Sequence, residues 1–402
     1  MNSAHVIVVG AGPVGLLSAL ALARHGIEVT VLERDTRLND SPRAAVYHWC
    51  VLEVLEKFGV REDAEAEGVI VRGNTFHRLS TGESVQISQT AIEGVVPYPY
   101  NLNLGQDRLG QICLDHLSRL PNATVRWGDG VAAVSQDAGG PGEDGASGGV
   151  TVTLDSGATL AADWLIGADG GRSAVRKALG LDFPGLTWDD RFVATNIRFD
   201  FEAYGYGRAN MVMDADLGCI VALLDREGLW RVTFAESDDL PEAAIPDRID
   251  AFMKAFLPGD KQYELVQFSP YHMHQRSAES YRVGRVLLAG DAAHLTNPTG
   301  AMGLTSGVFD VELLVDRLLA VIAGEADDAA LDDYADRRRT AFLDNASPTA
   351  TRFKNLVYGG VQADIDEAFE LYQRVERDPE ASRDFFLGVQ SLREPEFRGV
   401  PL

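Results

Sequence analysis

The sequence predicts an α/β fold in which a parallel-sheet domain is interrupted by an antiparallel-sheet domain and followed by a helical C-terminal segment. A short, wholly apolar run at residues 6–9 begins a strand–helix–strand unit at the start of the chain. Polar and apolar residues alternate through residues 192–236, which is typical of antiparallel strands. A second buried strand at residues 283–289, followed by an apolar helix at 308–323, returns the chain to the first domain.

The elements follow in order along the chain. The first strand leads into a helix at residues 16–24 and a second strand at residues 29–32. Helical spacing recurs further on, and the Gly-rich residues 138–149 predict a long hairpin loop. We expect residues 1–75, 101–182 and 276–345 to form the first domain, residues 76–100 and 183–275 the inserted sheet domain, and residues 346–402 the C-terminal helical segment.

Composition excludes several classes of protein. The 402 residues carry 36 Lys and Arg against 60 Asp and Glu, a formal net charge of −24, which disfavours binding to nucleic acids and to anionic membranes. The three cysteines, Cys50, Cys113 and Cys219, have neither disulfide-framework nor metal-site spacing, so no metal is expected. The absence of a signal peptide or a long apolar stretch predicts a cytoplasmic protein.

The first motif is a glycine pattern between the first strand and its helix. Gly10, Gly12 and Gly15 form GxGxxG, in which the glycines allow a tight turn, backbone approach to a pyrophosphate and close helix packing. The N-terminus of the helix offers free N–H groups to phosphates. Glu33, at the end of the second strand, is placed to bind ribose hydroxyls. The sequence therefore predicts a Rossmann-like dinucleotide site, which fits FAD or NAD equally.

Two further blocks follow downstream. Residues 163–176 (DWLIGADGGRSAVR) read as a strand, a turn and the start of a helix. Residues 284–294 (GRVLLAGDAAH) form a buried strand that ends in Gly-Asp, where a carboxylate can accept a hydrogen bond from a sugar-like hydroxyl. Residues 297–307 (NPTGAMGLTSG) then lead into a helix whose N-terminal N–H groups suit a partial negative charge.

Together, the three blocks resemble the FAD-dependent aromatic hydroxylases of the para-hydroxybenzoate hydroxylase type, the group A flavoprotein monooxygenases. The resemblance spans about residues 5–345. It implies that FAD is reduced by NADH or NADPH, which has no nucleotide domain of its own and visits the FAD domain transiently. It also implies that reduced flavin and O₂ form a C4a-hydroperoxide, whose distal oxygen passes to a phenolic or heteroaromatic substrate.

The same resemblance assigns the cofactor site residue by residue. The positions are Gly10, Gly12, Pro13, Val14, Gly15, Glu33, Arg34, Arg43, Gln106, Val131, Asp169, Asp291, Gly303, Leu304 and Thr305. Within this set, Arg43 is expected near the flavin and Asp291 at the ribityl chain. Asp169 belongs to a motif thought to serve both FAD and the nicotinamide cofactor.

The catalytic residues are less well defined. The resemblance places Pro298 over the reaction site. His48 is a candidate base for a phenolic substrate, but a helix histidine with a backbone partner explains it equally well. Tyr98 and Tyr100 are candidates for the pocket wall, or amphipathic tyrosines at a domain seam. We interpret His294 as structural.

The substrate wall departs from the para-hydroxybenzoate enzyme. That enzyme holds its substrate with a tyrosine, a serine and an arginine, and an approximate alignment puts Val212, Leu223 and Asp225 at those positions. Without the arginine that anchors a carboxylate, the sequence favours a more apolar or larger aromatic over a benzoate. Arg231 and Arg198 are possible replacements, or solvated strand residues.

Two other functions stay open at this point. One is a FAD-dependent NAD(P)H oxidoreductase on the same fold without oxygen insertion, although the Trp-x-Trp-x-Ile-Pro string of flavin halogenases does not occur. The other is a flavin-binding module that senses redox state without catalysis. The expected partners are a small aromatic substrate and O₂, with the chain acting as a monomer or a homodimer.

Overall fold

The predicted α/β class is confirmed by the sheets of the computed structural model, which describes residues 4–41, 45–137, 148–259, 261–394 and 396. Over these residues the chain forms one sheet of six strands, one of eight strands and two of three strands. The larger two sheets correspond to the two predicted sheet domains. Among the described helices, none is both long and apolar enough to cross a membrane.

The strands and helices have the following bounds. The strands are β1 (His5–Val9), β2 (Glu28–Glu33), β3 (Val46–Tyr47), β4 (Val69–Val71), β5 (Gly73–Arg78), β6 (Glu83–Ser88), β7 (Asn101–Asn103), β8 (Ala123–Trp127), β9 (Val131–Gln136), β10 (Val150–Leu154), β11 (Thr159–Ala162), β12 (Trp164–Gly167), β13 (Gly185–Arg198), β14 (Ala209–Met213), β15 (Cys219–Leu223), β16 (Leu229–Ser237), β17 (Glu264–Ser277), β18 (Arg282–Val283), β19 (Val286–Leu288) and β20 (His294–Leu295). The helices are α1 (Pro13–Arg24), α2 (Trp49–Lys57), α3 (Arg61–Glu67), α4 (Gln106–Leu117), α5 (Ala174–Ala178), α6 (Ile245–Phe256), α7 (Met302–Ile322), α8 (Ala329–Ala341), α9 (Ser347–Tyr358), α10 (Gln362–Arg377) and α11 (Pro379–Leu387).

The six-stranded sheet has the order β18-β19-β12-β1-β2-β8, and its pairs are parallel except for β18 with β19. The apolar residues of β1 are buried because helices cover both faces of such a sheet. Helix α1 begins with Pro13, whose fixed backbone suits the first helical position. The carboxyl ends of β1, β12 and β19 lie side by side, which is where ligands bind in open α/β sheets.

The eight-stranded sheet has the order β20-β17-β13-β16-β15-β14-β5-β6, and only β14 with β5 is parallel among its pairs in the described residues. The alternating pattern gives it two different faces. One face packs on helix α6 through a second apolar core, which contains Val212, Leu223, Ile249 and Met253. The other face is turned toward the six-stranded sheet and supplies residues such as Met211 and Ala222 to the cleft described below.

The remaining predictions have mixed outcomes. Strands β9 and β10 pair antiparallel, so the predicted hairpin is confirmed, although residues 138–147 of its loop lie outside the described residues. The predicted domain boundaries remain a proposal. Sheet membership differs from them at two places, because β5, which begins at Gly73, and β20 (His294–Leu295) both belong to the eight-stranded sheet.

The C-terminal segment is helical, as expected, but it packs closely on the rest of the chain. Tyr372 of α10 stacks on Phe76 of β5 with ring centroids 3.9 Å apart. The indole N–H of Trp49 donates to the carbonyl of Phe386, 2.9 Å away. The acidic side chains of α10 are on its outer face, while Ile365 and Phe369 are buried. This segment therefore helps to enclose the space between the two larger sheets.

Candidate active site

One large cleft, of about 940 Å³, lies between the six-stranded and eight-stranded sheets. This volume is near the upper end of the range for small-molecule and cofactor sites, about 300–1,000 Å³. The residues assigned from the sequence that line it are Gly10, Gly12, Pro13, Val14, Glu33, Arg34, His48, Gln106, Val131, Asp169, Asp291, Pro298, Gly303 and Leu304. The fold thus brings together, in one place, positions that are nearly 300 residues apart in sequence.

The three glycines in the turn after β1 differ in the space that each leaves for a side chain. Gly10 has φ +105°, and a Cβ there would collide with the backbone of Ala168. A Cβ on Gly15 would collide with the carbonyl of Gly10, so both positions are closed by packing. A Cβ on Gly12 would meet nothing within 4 Å, because Gly12 faces the open cleft. The space before Gly12 and the N-terminus of α1 is suited to a pyrophosphate.

Glu33 is held at the rim of this turn. One carboxylate oxygen accepts the N–H of Ala11 at 2.7 Å, and the other accepts the N–H of Asp35 at 2.9 Å. Two backbone donors fix the orientation of the carboxylate beside the glycine turn. Each carboxylate oxygen has further acceptor capacity, so sugar hydroxyls fit here.

The start of helix α7 also lines the cleft. Ala301, the residue before the helix, has φ +60°, and Gly300 has φ +81°. Two threonines that line the cleft, Thr296 and Thr299, have buried hydroxyl oxygens with no hydrogen-bond partner in the described residues. Buried hydroxyls normally find a partner, so these two indicate a polar ligand. Together with the glycine turn, they fit FAD.

Asp169 holds the protein's own backbone. Its carboxylate accepts the hydroxyl of Ser173 and the N–H groups of Ala174, at 2.6 Å, and Val175, at 3.2 Å. These contacts fix the start of the short helix α5, whose preceding turn, Gly170–Arg172, lines the cleft. The geometry supports a positioning role for Asp169, with the turn rather than the carboxylate presented to a ligand.

The Gly290–Asp291 turn is fixed by a buried charged cluster that the sequence did not reveal. Asp310 accepts the N–H of Gly290 at 2.9 Å, a ring N–H of His294 at 2.7 Å and the guanidinium of Arg338 at 2.8 Å. Burial raises the pKa of Asp310, but His294 and Arg338 outweigh it and the net pKa is lowered. The structural interpretation of His294 therefore agrees with this geometry.

His48 lies where α2 begins, against the start of α7. Its Nε2–H donates to the carbonyl of Gly300 at 2.9 Å, so the backbone partner considered for it exists. Burial lowers its pKa, which keeps the ring neutral at pH 7. Its Nδ1 has no hydrogen-bond partner among the described residues, and the ring lines the cleft with Pro298. A neutral imidazole in this position retains an acceptor nitrogen.

The predicted substrate residues require correction. Val212 and Leu223 face the α6 side of the sheet and are buried in the second core. Because side chains alternate along a strand, their neighbours Met211 and Ala222 line the cleft instead. Tyr98 does not line the cleft either, and its ring lies 4.7 Å from the guanidinium carbon of Arg61. Tyr100 donates to Glu65 at 2.6 Å, away from the cleft lining.

Two other assigned positions do not line the cleft. Gly15 and Thr305 are buried behind its surface, where Gly15 packs on Gly10 and Thr305 lies inside the first turn of α7. Arg43 lies outside the described residues. Their assigned roles remain predictions.

Arg231 is a cleft residue that the sequence left undecided. Its side chain is only 9% exposed, and its Nε–H donates to Oδ1 of Asn196 at 3.0 Å. Burial lowers its pKa to about 10. Arg198, the alternative, lies at the end of β13, is partly exposed and donates to the carbonyl of Glu227. The two arginines are therefore distinguished by the structure.

The C-terminal segment supplies part of the cleft wall, which sequence reasoning missed. Its aromatic and apolar contributions are Phe353, Tyr358, Phe385, Phe386 and Val389. The paired phenylalanines at 385–386 were the available signal, but nothing local in the sequence indicates which distant cleft they face. These side chains make the inner part of the cleft largely apolar.

Comparisons with known proteins agree with this geometry. A family model described as a FAD binding domain matches residues 3–346. The chain is 44% identical over 358 residues to 6-hydroxy-3-succinoylpyridine 3-monooxygenase HspB of Pseudomonas putida (strain DSM 28022 / S16), covering 88% of this chain and 89% of that protein. It is 39% identical over 394 residues to para-nitrophenol 4-monooxygenase of Pseudomonas sp. (strain WBC-3), covering 96% and 95%.

A solved structure shows the same fold over the whole chain. The crystal structure of p-nitrophenol 4-monooxygenase PnpA from Pseudomonas putida DLL-E4 matches with a TM-score of 0.91 and 36% sequence identity. The match covers 99% of this chain and 100% of that one, so it includes the C-terminal helices as well as both large sheets.

Proposed function

This chain belongs to the FAD-binding domain family of para-hydroxybenzoate hydroxylase-type flavoprotein monooxygenases, and we propose that its substrate is a single hydroxylated aromatic ring, either a phenol or a hydroxypyridine. The protein is a FAD-dependent aromatic monooxygenase that uses NAD(P)H and O₂. The two relatives above are named for such rings, one a nitrophenol and the other a hydroxypyridine.

The observation that best supports the proposal is that the region suited to FAD and the region walled by the eight-stranded sheet belong to one cleft. The cofactor region, with Gly12 and Glu33, opens directly into the region walled by Met211 and Ala222 of the eight-stranded sheet. Pro298 and Gly300 line the same cleft. A ring bound against the sheet therefore lies next to the part of the cleft suited to the flavin.

FAD, when bound, supplies the redox chemistry that activates O₂. The chain's own residues hold it: the glycine turn and the start of α1 bind the pyrophosphate, and Glu33 binds the ribose. The apolar wall from Phe353, Phe385 and Phe386 excludes water from the inner cleft. The neutral ring of His48 is placed to accept a proton through Nδ1 while Nε2–H anchors it to Gly300.

The nicotinamide donor is proposed to approach at a basic edge of the same cleft. His274 lies there beside Arg172, Arg276 and His272, and its pKa is lowered first by burial and then by these neighbours. Thr187 accepts from Arg276 and hydrogen-bonds His274, each at 2.9 Å. The guanidinium groups of Arg172 and Arg276 supply positive charge here, on a chain of net charge −24, and this suits the pyrophosphate of NADH or NADPH.

The test is a substrate panel with purified protein. NADH and NADPH oxidation, O₂ uptake and product mass are measured with phenols, hydroxypyridines and ring-matched compounds that lack the hydroxyl. We expect the hydroxylated rings to stimulate NAD(P)H oxidation and to gain one oxygen. Stimulation and oxygen gain only with rings that lack a hydroxyl would contradict the proposed substrate class.

A further inference from the structure

The turn before helix α7 lines the cleft, but part of what holds it lies behind the cleft surface. Within residues 297–301, the side that faces the cleft is formed by Pro298, Thr299, Gly300 and Ala301. Gly300 and Ala301 both have positive φ, +81° and +60°. A left-handed backbone costs free energy at Ala301, which is not a glycine, so this turn depends on contacts from its surroundings.

One of these contacts comes from a fully buried asparagine. Oδ1 of Asn297 accepts the N–H of Thr299 at 3.1 Å, so the side chain spans Pro298 and closes the turn. Asn297 is 0% exposed, and its amide N–H groups therefore need partners inside the protein. Its Nδ2 donates to Oε1 of Gln275 at 3.0 Å. The orientation of the Asn297 amide, and with it the turn, thus depends on Gln275.

Gln275 connects the turn to helix α9. It lies near the end of β17, is 7% exposed and is outside the cleft lining. Its amide nitrogen donates toward the carbonyl and the hydroxyl of Ser347, at 2.6 and 2.7 Å, and toward the hydroxyl of Thr351 at 2.8 Å. Because its acceptor oxygen faces Asn297 and its donor nitrogen faces α9, only one orientation of the amide satisfies both sides.

Helix α9 also touches the turn and the cleft directly. Phe353 lines the cleft, and a Cβ built on Gly300 would collide with its ring. His48 adds a contact from α2, because its Nε2–H donates to the carbonyl of Gly300. The turn is therefore held by packing on Phe353, by His48 and, through Asn297, by Gln275.

We propose that Gln275 is a positioning residue for oxygen transfer, because it holds the 297–301 turn in one arrangement against α9. The proposal rests on the proposed function, since it concerns the step in which oxygen reaches the aromatic ring. Geometry matters at this step because a displacement of about 1 Å can slow a reaction about 100-fold.

Loss of positioning has a chemical signature. In the productive reaction, the electron pair of NAD(P)H and one O₂ give the ring one oxygen atom and form one water. Without transfer, the same electron pair and two protons convert O₂ to hydrogen peroxide. The ratio of oxygenated product to hydrogen peroxide therefore reports how well the ring is positioned, independently of the rate at which NAD(P)H is consumed.

The experiment compares three variants of the FAD-loaded protein. Gln275→Met keeps the length of the side chain and removes both of its hydrogen-bonding groups. Gln275→Glu keeps an acceptor for Asn297, and in its protonated form it also donates to Ser347. Gln267→Met is the control, because it makes the same change at an exposed position of the same strand, outside the cleft lining.

The ratio is measured with the panel ring that gains the most oxygen. We expect Gln275→Met to lower the ratio of product to hydrogen peroxide by about fivefold or more, as for the loss of one buried hydrogen bond. The dissociation constant of the ring is expected to stay within about threefold of wild type, because Gln275 does not line the cleft. Gln275→Glu is expected to retain part of the ratio, and Gln267→Met all of it.

A second readout does not depend on turnover. Amide hydrogen exchange of the peptide that contains residues 297–301 is measured with and without FAD. We expect faster exchange in Gln275→Met in both states, because Asn297 loses the partner that orients its amide. Exchange in Gln267→Met is expected to match wild type.

The proposal is overturned if Gln275→Met keeps the wild-type ratio of product to hydrogen peroxide, or if exchange of residues 297–301 is unchanged in it. Should Gln275→Met fail to fold, Thr351→Val tests the same connection from α9, and an unchanged ratio there also overturns the proposal. Failure of the proposed function has a different signature, namely wild-type protein that inserts no oxygen into any ring.

Discussion

His48 shows how one contact limits what a residue can do. Its Nε2–H is committed to the carbonyl of Gly300, so a proton can be exchanged with the cleft only through Nδ1. The same contact ties the strand that precedes α2 to the turn that precedes α7. A change at His48 therefore affects both proton transfer and the position of the Gly300 turn.

The lowered pKa of His48 predicts a pH effect on stability. Because burial keeps the folded ring neutral, the unfolded chain takes up a proton that the folded chain does not as the pH falls through about 6.5. His48 therefore contributes stability above that pH and loses it toward pH 5. We expect His48→Gln, which keeps a donor for Gly300, to lessen the decline in the free energy of unfolding between pH 7 and pH 5. Urea unfolding across this range measures it, and parallel curves for the two proteins would refute the assignment.

Single residues also mark the limit of what the sequence could predict. The contacts of Glu33 and the conformations of Gly10 and Gly12 follow from a contiguous motif, so they were predictable. Val212 and Leu223 were placed by approximate alignment, and an error of one residue moves a strand side chain to the opposite face. Arg231 has the same periodicity as a solvated strand residue, and only the sheet order shows that it faces the cleft.

At the scale of elements, the glycine turn at the start of α1 contains one glycine expected to affect FAD affinity, Gly12, and one expected to affect the stability of the fold, Gly15. Gly12→Ala places a methyl group in open cleft, so we expect the apo protein to unfold at nearly the wild-type urea concentration. FAD affinity is expected to fall about 10-fold or more, since the methyl group occupies the approach of the pyrophosphate.

Gly15→Ala is the matched comparison. A Cβ at this position collides with the carbonyl of Gly10, so the apo protein itself is expected to lose stability. Urea unfolding of apo protein and FAD titration by flavin fluorescence separate the two effects. Equal loss of apo stability in both variants would show that Gly12 serves packing rather than the cofactor.

Helix α8 is linked to the Gly290 turn because its Arg338 binds Asp310, which accepts the N–H of Gly290. The guanidinium is 1% exposed, bonds Asp310 and donates to the carbonyl of Leu392 near the end of the described chain. Removing one partner of a buried pair leaves the other charge uncompensated, so we expect Arg338→Met to lower the free energy of unfolding by about 3–5 kcal/mol.

Arg337 offers a control one residue away. It is partly exposed and pairs with Glu396 at 3.2 Å, so Arg337→Met is expected to change the free energy of unfolding by less than about 0.5 kcal/mol. Urea unfolding of both variants makes the comparison. A loss at Arg338 no larger than at Arg337 would mean that the Asp310 cluster does not stabilise the turn.

The sequence could not have revealed this cluster. Asp310 and Arg338 lie on different helices, and each fits the helical pattern of its own segment. Their pairing depends on how α7 packs against α8, which no local spacing encodes. The same reason explains why the sequence predicts only a C-terminal helical segment and does not indicate that Phe385 and Phe386 line the cleft.

At the scale of the whole molecule, three segments distant in sequence combine into one site. The six-stranded sheet supplies the cofactor turns, the eight-stranded sheet supplies Arg231 and the wall beside it, and the C-terminal helices close the cleft. The general architecture was predictable because each part carries its own periodicity. That these segments meet in one cleft was predictable only for the residues in the motifs that the family shares.

The distribution of charge over the whole molecule is uneven. The chain as a whole is strongly acidic, yet Arg172 and Arg276 lie close to His274, which lines one edge of the cleft, and Arg231 lines the same cleft. This local positive charge favours the approach of the anionic nicotinamide cofactor at that edge, as proposed above.

The central claim is oxygen insertion into a hydroxylated aromatic ring, and the most direct measurement is the product mass after a reaction under ¹⁸O₂. The FAD-loaded protein is supplied with NAD(P)H and the ring that best stimulates its oxidation. The account predicts a product that carries one ¹⁸O atom, with one NAD(P)H consumed for each product molecule. Unlabelled ring together with hydrogen peroxide equal to the NAD(P)H consumed would contradict it.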